Sequence, residues 1–315
     1  MGLGPAASAA ERSAGSGQAL HHGISYSNAW VLRVDGAGRR TPSWAVLGAG
    51  ALALLLSMLG GGALYGRFMG LLQGHPALDQ AALDLCVVGP LYAAALAGLA
   101  YEKRAPQAAN AGIATALGAG LGLGALGFAL AVGLSALLGA VAAGAPPAPL
   151  GHRLSGLAIG AALVAFQAFG EELFFRGWMQ PVLAARWGPW IGLVAVSVLF
   201  AVAHALGRPP GALALLNDGL AGMVFGLLAF RSGGVAAPFA AHFAWNWAEQ
   251  SLFGLTPNPG VNALGSLFDL DLVGSGLLGA GPDEMNGALT ATAALLVMGA
   301  VALAWTPGRR AQPSM

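Results

Sequence analysis

Two adjacent glutamates and an arginine, Glu171, Glu172 and Arg176, lie in an otherwise apolar stretch of the sequence. A charged side chain near the centre of a membrane costs about 2.5–3.5 kcal/mol, so it usually marks a site or an ion pathway. Residues four apart on a helix can pair, which predicts an ion pair between Glu172 and Arg176. Glu171 then stays free on a neighbouring face, which it shares with Gln167. A free carboxylate suits a general base that activates water.

Two further polar groups lie in later apolar segments. They are Phe200-x-x-x-His204 and His242-x-x-x-Asn246. A single helical histidine is more often a hydrogen-bonded structural residue than a catalyst. His242 and Asn246, however, lie one turn apart on one helical face, where they could donate to a developing oxyanion or hold a metal ion. Glu249 lies one turn further along, and we interpret it as a polar residue near the helix end that could join the site.

The elements that position these residues are predicted to be membrane helices. Of the 315 residues, 57% are hydrophobic and only 9% are charged, whereas ordinary soluble domains have about 25% charged residues. The formal net charge is +1, and a nucleic-acid-binding domain is expected to be much more basic. The composition therefore predicts an all-α, polytopic membrane helix bundle that has the lipid bilayer as a partner and binds no nucleic acid.

Apolar runs long enough to span a bilayer, about 20 residues each, predict about eight transmembrane helices. The many glycines and alanines in these runs favour close contact between helices. The predicted helices cover roughly 43–65, 80–101, 110–142, 155–183, 190–206, 211–230, 234–253 and 286–305, with boundaries good to a few residues.

The distribution of lysine and arginine predicts the orientation of these helices. Basic residues are enriched in cytoplasmic segments, and most of those in this chain fall in the leader, after every second helix, or in the tail. The chain is therefore expected to be a multi-pass protein of the cell membrane with both termini cytoplasmic. The expected divisions are a polar, flexible leader at 1–42, N-terminal helices at 43–142, core helices at 143–255, an acidic external loop at 256–285, and a last helix with a basic tail at 286–315.

The spacing of the first two motifs predicts that Glu171 and His204 meet. A turn predicted near Arg186-Trp187-Gly188-Pro189 lies midway between them, so an antiparallel helical hairpin brings both to a similar depth. This requires the fourth helix to continue through Pro181, where it could instead bend. His242 lies nearer its own cytoplasmic loop and reaches this depth only if part of 177–189 runs along the membrane interface.

Taken in order on successive membrane segments, the three motifs resemble those of the CPBP family of intramembrane proteases. This family, named for CAAX proteases and bacteriocin processing and also called Abi, includes the Rce1-type prenyl-protein endopeptidases. The resemblance covers about residues 155–255. The residues that carry it are Glu171, Glu172, Arg176, Phe200, His204, His242 and Asn246.

The resemblance implies hydrolysis of a peptide bond inside the membrane. Glu171 and His204 would activate water, and His242 with Asn246 would stabilise the oxyanion, while the other motif residues would pair with them or support them. The expected substrate is a membrane-associated protein or peptide that is cut near its C-terminus. Glu171, His204 and His242 could also bind zinc, but the family is also described as working without metal, and we commit to no cofactor.

Two other functions fit the same residues. A transporter could use the buried carboxylates and histidines to relay protons or bind a cation, although the sequence shows no internal repeat of the kind many transporters have. A protein of this fold could also act as a scaffold that does not cleave. Asp84, Asn217 and Asp218 lie in predicted membrane helices and could line a cavity, but each is within a turn or two of a predicted helix end, and we interpret them as residues solvated at the membrane interface.

Overall fold

A computed structural model describes residues 41–105, 107–109, 112–145, 148–207, 211–255 and 264–306. Most of the predicted leader at 1–42 and most of the basic tail, including Arg309 and Arg310, lie outside these residues. The structure is predominantly helical, which confirms the predicted fold class. Its main helices are α1 (Ser43–Leu71), α2 (Pro76–Tyr101), α3 (Ile113–Leu137), α4 (Leu150–Trp187), α5 (Pro189–Gly207), α6 (Ala212–Ser232), α7 (Ala236–Trp247, continued by a π-helical segment at Ala248–Leu252) and α8 (Leu289–Ala304).

Six of the helices in the described ranges, α1 to α6, are long and apolar enough to cross a membrane. Helix α8 is apolar but has only 16 residues, fewer than the roughly 20 that a span across the hydrocarbon core needs. Helix α7 has 12 residues before its π-helical segment. The chain is a multi-pass membrane protein, and the number of eight spans stays a prediction.

Successive helices run in opposite directions, so alternate connections gather at opposite ends of the bundle. At one end, the α2–α3 connection accepts hydrogen bonds from the start of α7, from Val235 N to Gln107 O at 3.0 Å and from Ala236 N to Ala108 O at 2.8 Å. This end carries Lys103, Arg104, Arg186 and Arg231, and we call it the basic end. The opposite end carries Asp269, Asp271, Asp283 and Glu284, and we call it the acidic end.

A short antiparallel strand pair joins two connections at the acidic end. Strand β1 (Val141–Ala143) follows α3, and strand β2 (Leu270–Leu272) lies between α7 and α8, with Val141 opposite Leu272. The sequence prediction of a helix to residue 142 is therefore wrong at its end. Helix α3 stops at Leu137 because the chain turns at Gly139, whose φ of 70° is a left-handed conformation that disfavours other residues.

Small residues bring α3 and α7 into direct contact, as the glycine content predicted. A Cβ atom at Gly120 would overlap the carbonyl oxygen of Ala237, and one at Gly124 would overlap that of Ala241. This four-residue spacing of glycines is the arrangement that lets membrane helices approach at backbone distance. The contact fixes the position of α7 one residue before His242.

Helix α4 passes through the centre of the bundle and carries the first motif. It continues through Pro181 to Trp187, and Gly188 then turns the chain into α5 with a φ of 86°. The predicted α4–α5 hairpin is thus confirmed. Residues 177–184 are buried inside the protein, and the condition that part of 177–189 lies along the membrane interface stays a prediction. His242 reaches the depth of Glu172 because α7 begins beside Gly177, where a Cβ atom would lie 3.4 Å from Val235 Cγ1.

Candidate active site

The site is built around a buried ion pair on α4. Arg176 Nη1 donates to Glu172 Oε1 at 2.9 Å, and both side chains are 0% exposed. The second guanidinium nitrogen, Nη2, donates to the carbonyl oxygen of Gly222 on α6 at 3.0 Å. The predicted pairing of Glu172 with Arg176 is therefore present, and it also ties α4 to α6.

Glu172 has a second partner that the sequence did not indicate. His242 Nδ1 lies 2.9 Å from Glu172 Oε1, the oxygen that also accepts from Arg176. A carboxylate can only accept here, so Nδ1 carries the proton and Nε2 is the nitrogen left for other partners. The imidazole stacks on the ring of Phe225, with centroids 4.8 Å apart. Glu172 and Phe225 together fix the orientation of His242.

Glu171 points to a different side of α4 and remains largely free. Its Oε1 accepts a hydrogen bond of 3.3 Å from Gln167 Nε2, as predicted, and its Oε2 has no hydrogen-bond partner among the described residues. The side chain is 7% exposed. It lines a cavity between α1, α2, α4 and α5, which we call the first cavity, together with Gln167, Asp84 and His204.

His204 presents one ring nitrogen for chemistry. Its Nδ1 lies 2.9 Å from the carbonyl oxygen of Phe200. Because a carbonyl oxygen only accepts, Nδ1 must carry a proton, which leaves Nε2 to accept one from water. The first cavity leaves about 20 Å³ for water-sized molecules, which suffices for one ordered water. The structure thus brings the two predicted water-activating residues to the same cavity.

Phe200 holds the two parts of the site together. Its ring lies under the Arg176 guanidinium, with Cζ 4.7 Å from the ring centroid, a distance at which a cation and an aromatic face attract each other. The same ring lies 4.5 Å from the His204 imidazole and 6.0 Å from that of His242, between centroids. The Phe-x-x-x-His spacing therefore supplies both a carbonyl acceptor and an aromatic support.

His242 and Asn246 line a second cavity rather than the first. This second cavity lies between α5, α6, α7 and α8, and it leaves about 40 Å³ for water-sized molecules. His204 lines both cavities. The resemblance implied that Glu171, His204, His242 and Asn246 act on one peptide bond, and the structure places them at two cavities that share His204.

Four polar residues at these cavities had two interpretations from the sequence, either as residues of a cavity or site or as polar residues near the helix ends. Asp84 lies in the wall of the first cavity, and Asn217, Asp218 and Glu249 lie in the wall of the second. All four are buried, so they are not residues solvated at the membrane interface or at a helix end. Their signal was present in the sequence, since each is a polar residue in an apolar helix, but the helix neighbours that bury them could not be read from it.

Asp84 reaches Glu171 because α2 and α4 approach closely. A Cβ atom at Gly170 would overlap the side chain of Val88, and Tyr92 Oη donates to the carbonyl oxygen of Phe166 at 2.8 Å. Asp84 Oδ1 accepts from Gln80 Nε2 at 2.8 Å, and the residue is 4% exposed. A second buried carboxyl group therefore faces the same cavity as Glu171.

The candidate zinc ligands do not form a cluster in this arrangement. Over the residues that the structure describes, no three side chains of the types His, Cys, Asp or Glu are grouped so that they could hold a metal ion. Glu171 and His204 face the first cavity, while His242 Nδ1 is bonded to Glu172. A metal site in which Glu171, His204 and His242 all bind the same ion would require these side chains to rearrange.

Comparison with known proteins finds a family match for the central segment. Residues 153–248 match the family model described as type II CAAX prenyl endopeptidase Rce1-like. The match includes every motif residue from Glu171 to Asn246, and it confirms the resemblance to the CPBP proteases for this part of the chain. Asp84 and Glu249 lie outside the matched segment. Searches of curated proteins and of solved structures found no match.

Proposed function

We propose that this chain is an intramembrane endopeptidase in which Glu171 and His204 activate a water molecule for attack on a peptide bond. The family match supports an endopeptidase in general. The observation that carries the proposed mechanism is the first cavity, a space the size of one water that is lined by Glu171, with one carboxylate oxygen lacking a hydrogen-bond partner among the described residues, and by His204, whose ring is fixed through Nδ1. Both groups are proton acceptors, as a water-activating pair requires.

In this mechanism the water attacks the carbonyl carbon and gives up a proton to Glu171 or His204. The carbonyl oxygen then becomes an oxyanion, which needs hydrogen-bond donors in a water-poor site. Asn246, through its amide, and His242, through Nε2–H of its doubly protonated ring, are the proposed donors, and they border the His204 imidazole from the second cavity. When the intermediate collapses, the protonated acceptor returns its proton to the leaving amine, so that the products are a carboxylic acid and an amine.

Glu172, Arg176 and Phe200 have positioning roles in this proposal. Glu172 holds His242 through Nδ1, in the way that a buried carboxylate orients a catalytic imidazole. Arg176 balances the charge of Glu172, and Phe200 supports both. The proposed substrate is a peptide bond near the C-terminus of a membrane-associated protein or peptide, and water activation is proposed to proceed without a resident metal.

Cleavage of a tagged peptide library by the purified chain in detergent tests this function. Glu171→Gln keeps the shape of the side chain but cannot accept a proton from water, so cleavage should fall by about 100-fold or more, the usual contribution of a general base. Glu102→Gln is a matched control, because Glu102 is also buried but lies at the end of α2, beside Thr41. Cleavage by Glu171→Gln at the wild-type rate would rule out the general-base role.

The same assay separates the metal-free mechanism from a metal-dependent one. Incubation with 1,10-phenanthroline should leave the rate unchanged if Glu171 and His204 alone activate water. A rate that falls with the chelator and returns on addition of zinc would reject the metal-free mechanism while keeping the protease function. Failure to cleave any member of the library would favour the proton-relay or scaffold function.

A further inference from the structure

The second cavity contains acidic groups that the proposed hydrolysis does not use. Asp218 on α6 and Glu249 on α7 line it beside His242 and Asn246. Neither residue belongs to the three sequence motifs that resemble those of the protease family. A buried carboxylate is costly unless it is paired or protonated, so the environment of Glu249 needs an explanation.

Glu249 provides the strongest indication of a missing partner. The residue is 2% exposed, it lines the cavity, and its Oε1 has no hydrogen-bond partner within the described part of the chain. Buried polar atoms in folded proteins almost always have a partner. An acceptor of this kind at a cavity wall is suited to a donor that arrives with a ligand.

The balance of charge around the two cavities indicates that this donor is cationic. Among the residues that the structure describes, five buried carboxylates line or adjoin the cavities, whereas the cations there are the Arg176 guanidinium and, when protonated, the imidazoles of His204 and His242. Even with both histidines charged, full ionisation would leave two negative charges in excess. The five carboxylates are Asp84, Glu171, Glu172, Asp218 and Glu249.

We propose that the second cavity is a subsite for a primary ammonium group of the peptide substrate, bound by Glu249 and Asp218 beside His204. The ammonium would come from a lysine side chain next to the cleaved bond or from the N-terminus of the peptide. It carries three donors and no acceptor, which complements a wall of carboxylate and amide oxygens. This proposal rests on the proposed peptidase function for the identity of the ligand, but not for the binding of the ammonium itself.

The size and surroundings of the cavity fit an ammonium group. Its volume of about 40 Å³ corresponds to roughly three water molecules, enough for the ammonium and the methylene next to it. Trp245 in the same wall adds an aromatic side chain, of the type that attracts cations. Asn286, two residues after Glu284, also lines the cavity. The subsite therefore lies next to the acidic end, whose carboxylates would raise the local concentration of a basic peptide.

Binding of n-butylammonium chloride to the full chain in detergent tests the subsite without relying on proteolysis. At a concentration well above its Kd, it should raise the Tm of the wild type by about 2 °C, because a ligand that binds only the folded state stabilises it. n-Butanol, which lacks the charge, should not. Glu249→Gln should lose the shift, and Glu102→Gln should keep it. A wild type whose Tm does not respond, or a Glu249→Gln variant that responds like the wild type, would overturn the proposal.

Cleavage kinetics identify the source of the ammonium. Two sets of variants are made from a peptide that the chain cleaves. In the first set, norleucine replaces each lysine next to the cleaved bond, which removes the side-chain ammonium. In the second set, the N-terminus is acetylated, which removes the terminal ammonium. Loss of the correct ammonium should lower kcat/KM by about 30-fold or more, the lower end of the effect of removing one partner of a buried charged pair. The ratio of kcat/KM for the unmodified peptide to kcat/KM for the peptide without the ammonium should approach one in Glu249→Gln. In Glu102→Gln this ratio should be the same as in the wild type. Equal kcat/KM for all peptides with the wild type would refute a substrate subsite, and ammonium binding without any cleavage would refute the peptidase and leave a cation site.

Discussion

Replacing Arg176 by methionine tests whether the Glu172–Arg176 pair is the buried unit that holds the site. The guanidinium makes a 2.9 Å bond to Glu172 and a 3.0 Å bond to the Gly222 carbonyl, and its Cζ lies 4.7 Å from the Phe200 ring centroid. Methionine keeps much of the volume but none of these interactions. Since the carboxylate of Glu172 would then be buried without its cation, the free energy of unfolding should fall by about 3–5 kcal/mol.

A double-mutant cycle measures the interaction free energy between Glu172 and Arg176. Glu172→Gln alone leaves the guanidinium buried without its anion and should cost a similar amount. The double variant buries neither charge, so its cost should be smaller than the sum of the single costs by about 1 kcal/mol or more. The double variant should still be inactive, because His242 Nδ1 has lost the carboxylate that orients it.

Unfolding of the variants in detergent, followed by tryptophan fluorescence, provides the assay. Arg67→Met is the control, since Arg67 is an exposed arginine near the end of α1, and such surface changes usually stay within about 0.5 kcal/mol. If Arg176→Met unfolds like Arg67→Met, the guanidinium is not part of a buried pair. If the single costs simply add in the double variant, Glu172 and Arg176 do not act on each other.

Two further predictions follow from the packing and the topology. Gly124→Val should push α7 away through the backbone at Ala241 and displace His242, and it should therefore lower both the Tm and the rate of cleavage. Gly122→Val on the same helix is the control, because a Cβ atom there meets no atom within 4 Å, and it should leave both quantities unchanged. Reporter fusions should read cytoplasmic after Arg231 at the basic end and external near Asp283 at the acidic end, as the positive-inside rule expects. The opposite readings would show that the bundle has the reverse orientation in the membrane.

The parts of the site that were predicted from the sequence depend on contacts within one helix or one hairpin. Glu172 and Arg176 are four residues apart, and Gln167 and Glu171 are also four apart, so helical geometry alone places them together. The meeting of Glu171 and His204 needed only the Gly188 turn. In each case the relevant distance is set by local geometry that residue spacing encodes.

The contacts that were missed join helices distant in the sequence. Glu172 meets His242 because α7 starts beside Gly177, and Asp84 meets the first cavity because Gly170 lets α2 approach. Nothing in an apolar pattern specifies which helices of a bundle become neighbours, since lipid and protein interior are similarly apolar. Polar residues in such helices therefore signalled a site, but their partners could be assigned only in the structure.

The two adjacent glutamates show why the motif needs both residues. Consecutive positions on an α-helix point about 100° apart, so one helix can direct two adjacent carboxylates to different neighbours. Glu171 faces the first cavity, while Glu172 reaches back to Arg176 and His242 at the edge of the second. The π-helical segment Leu173–Met179 begins directly after them, and such segments occur often at functional sites because they change the face that later residues present. It carries Arg176 to both Glu172 and the Gly222 carbonyl. The Glu172 carboxylate is thereby held by Arg176 and His242, and the Glu171 carboxylate is left to accept a proton.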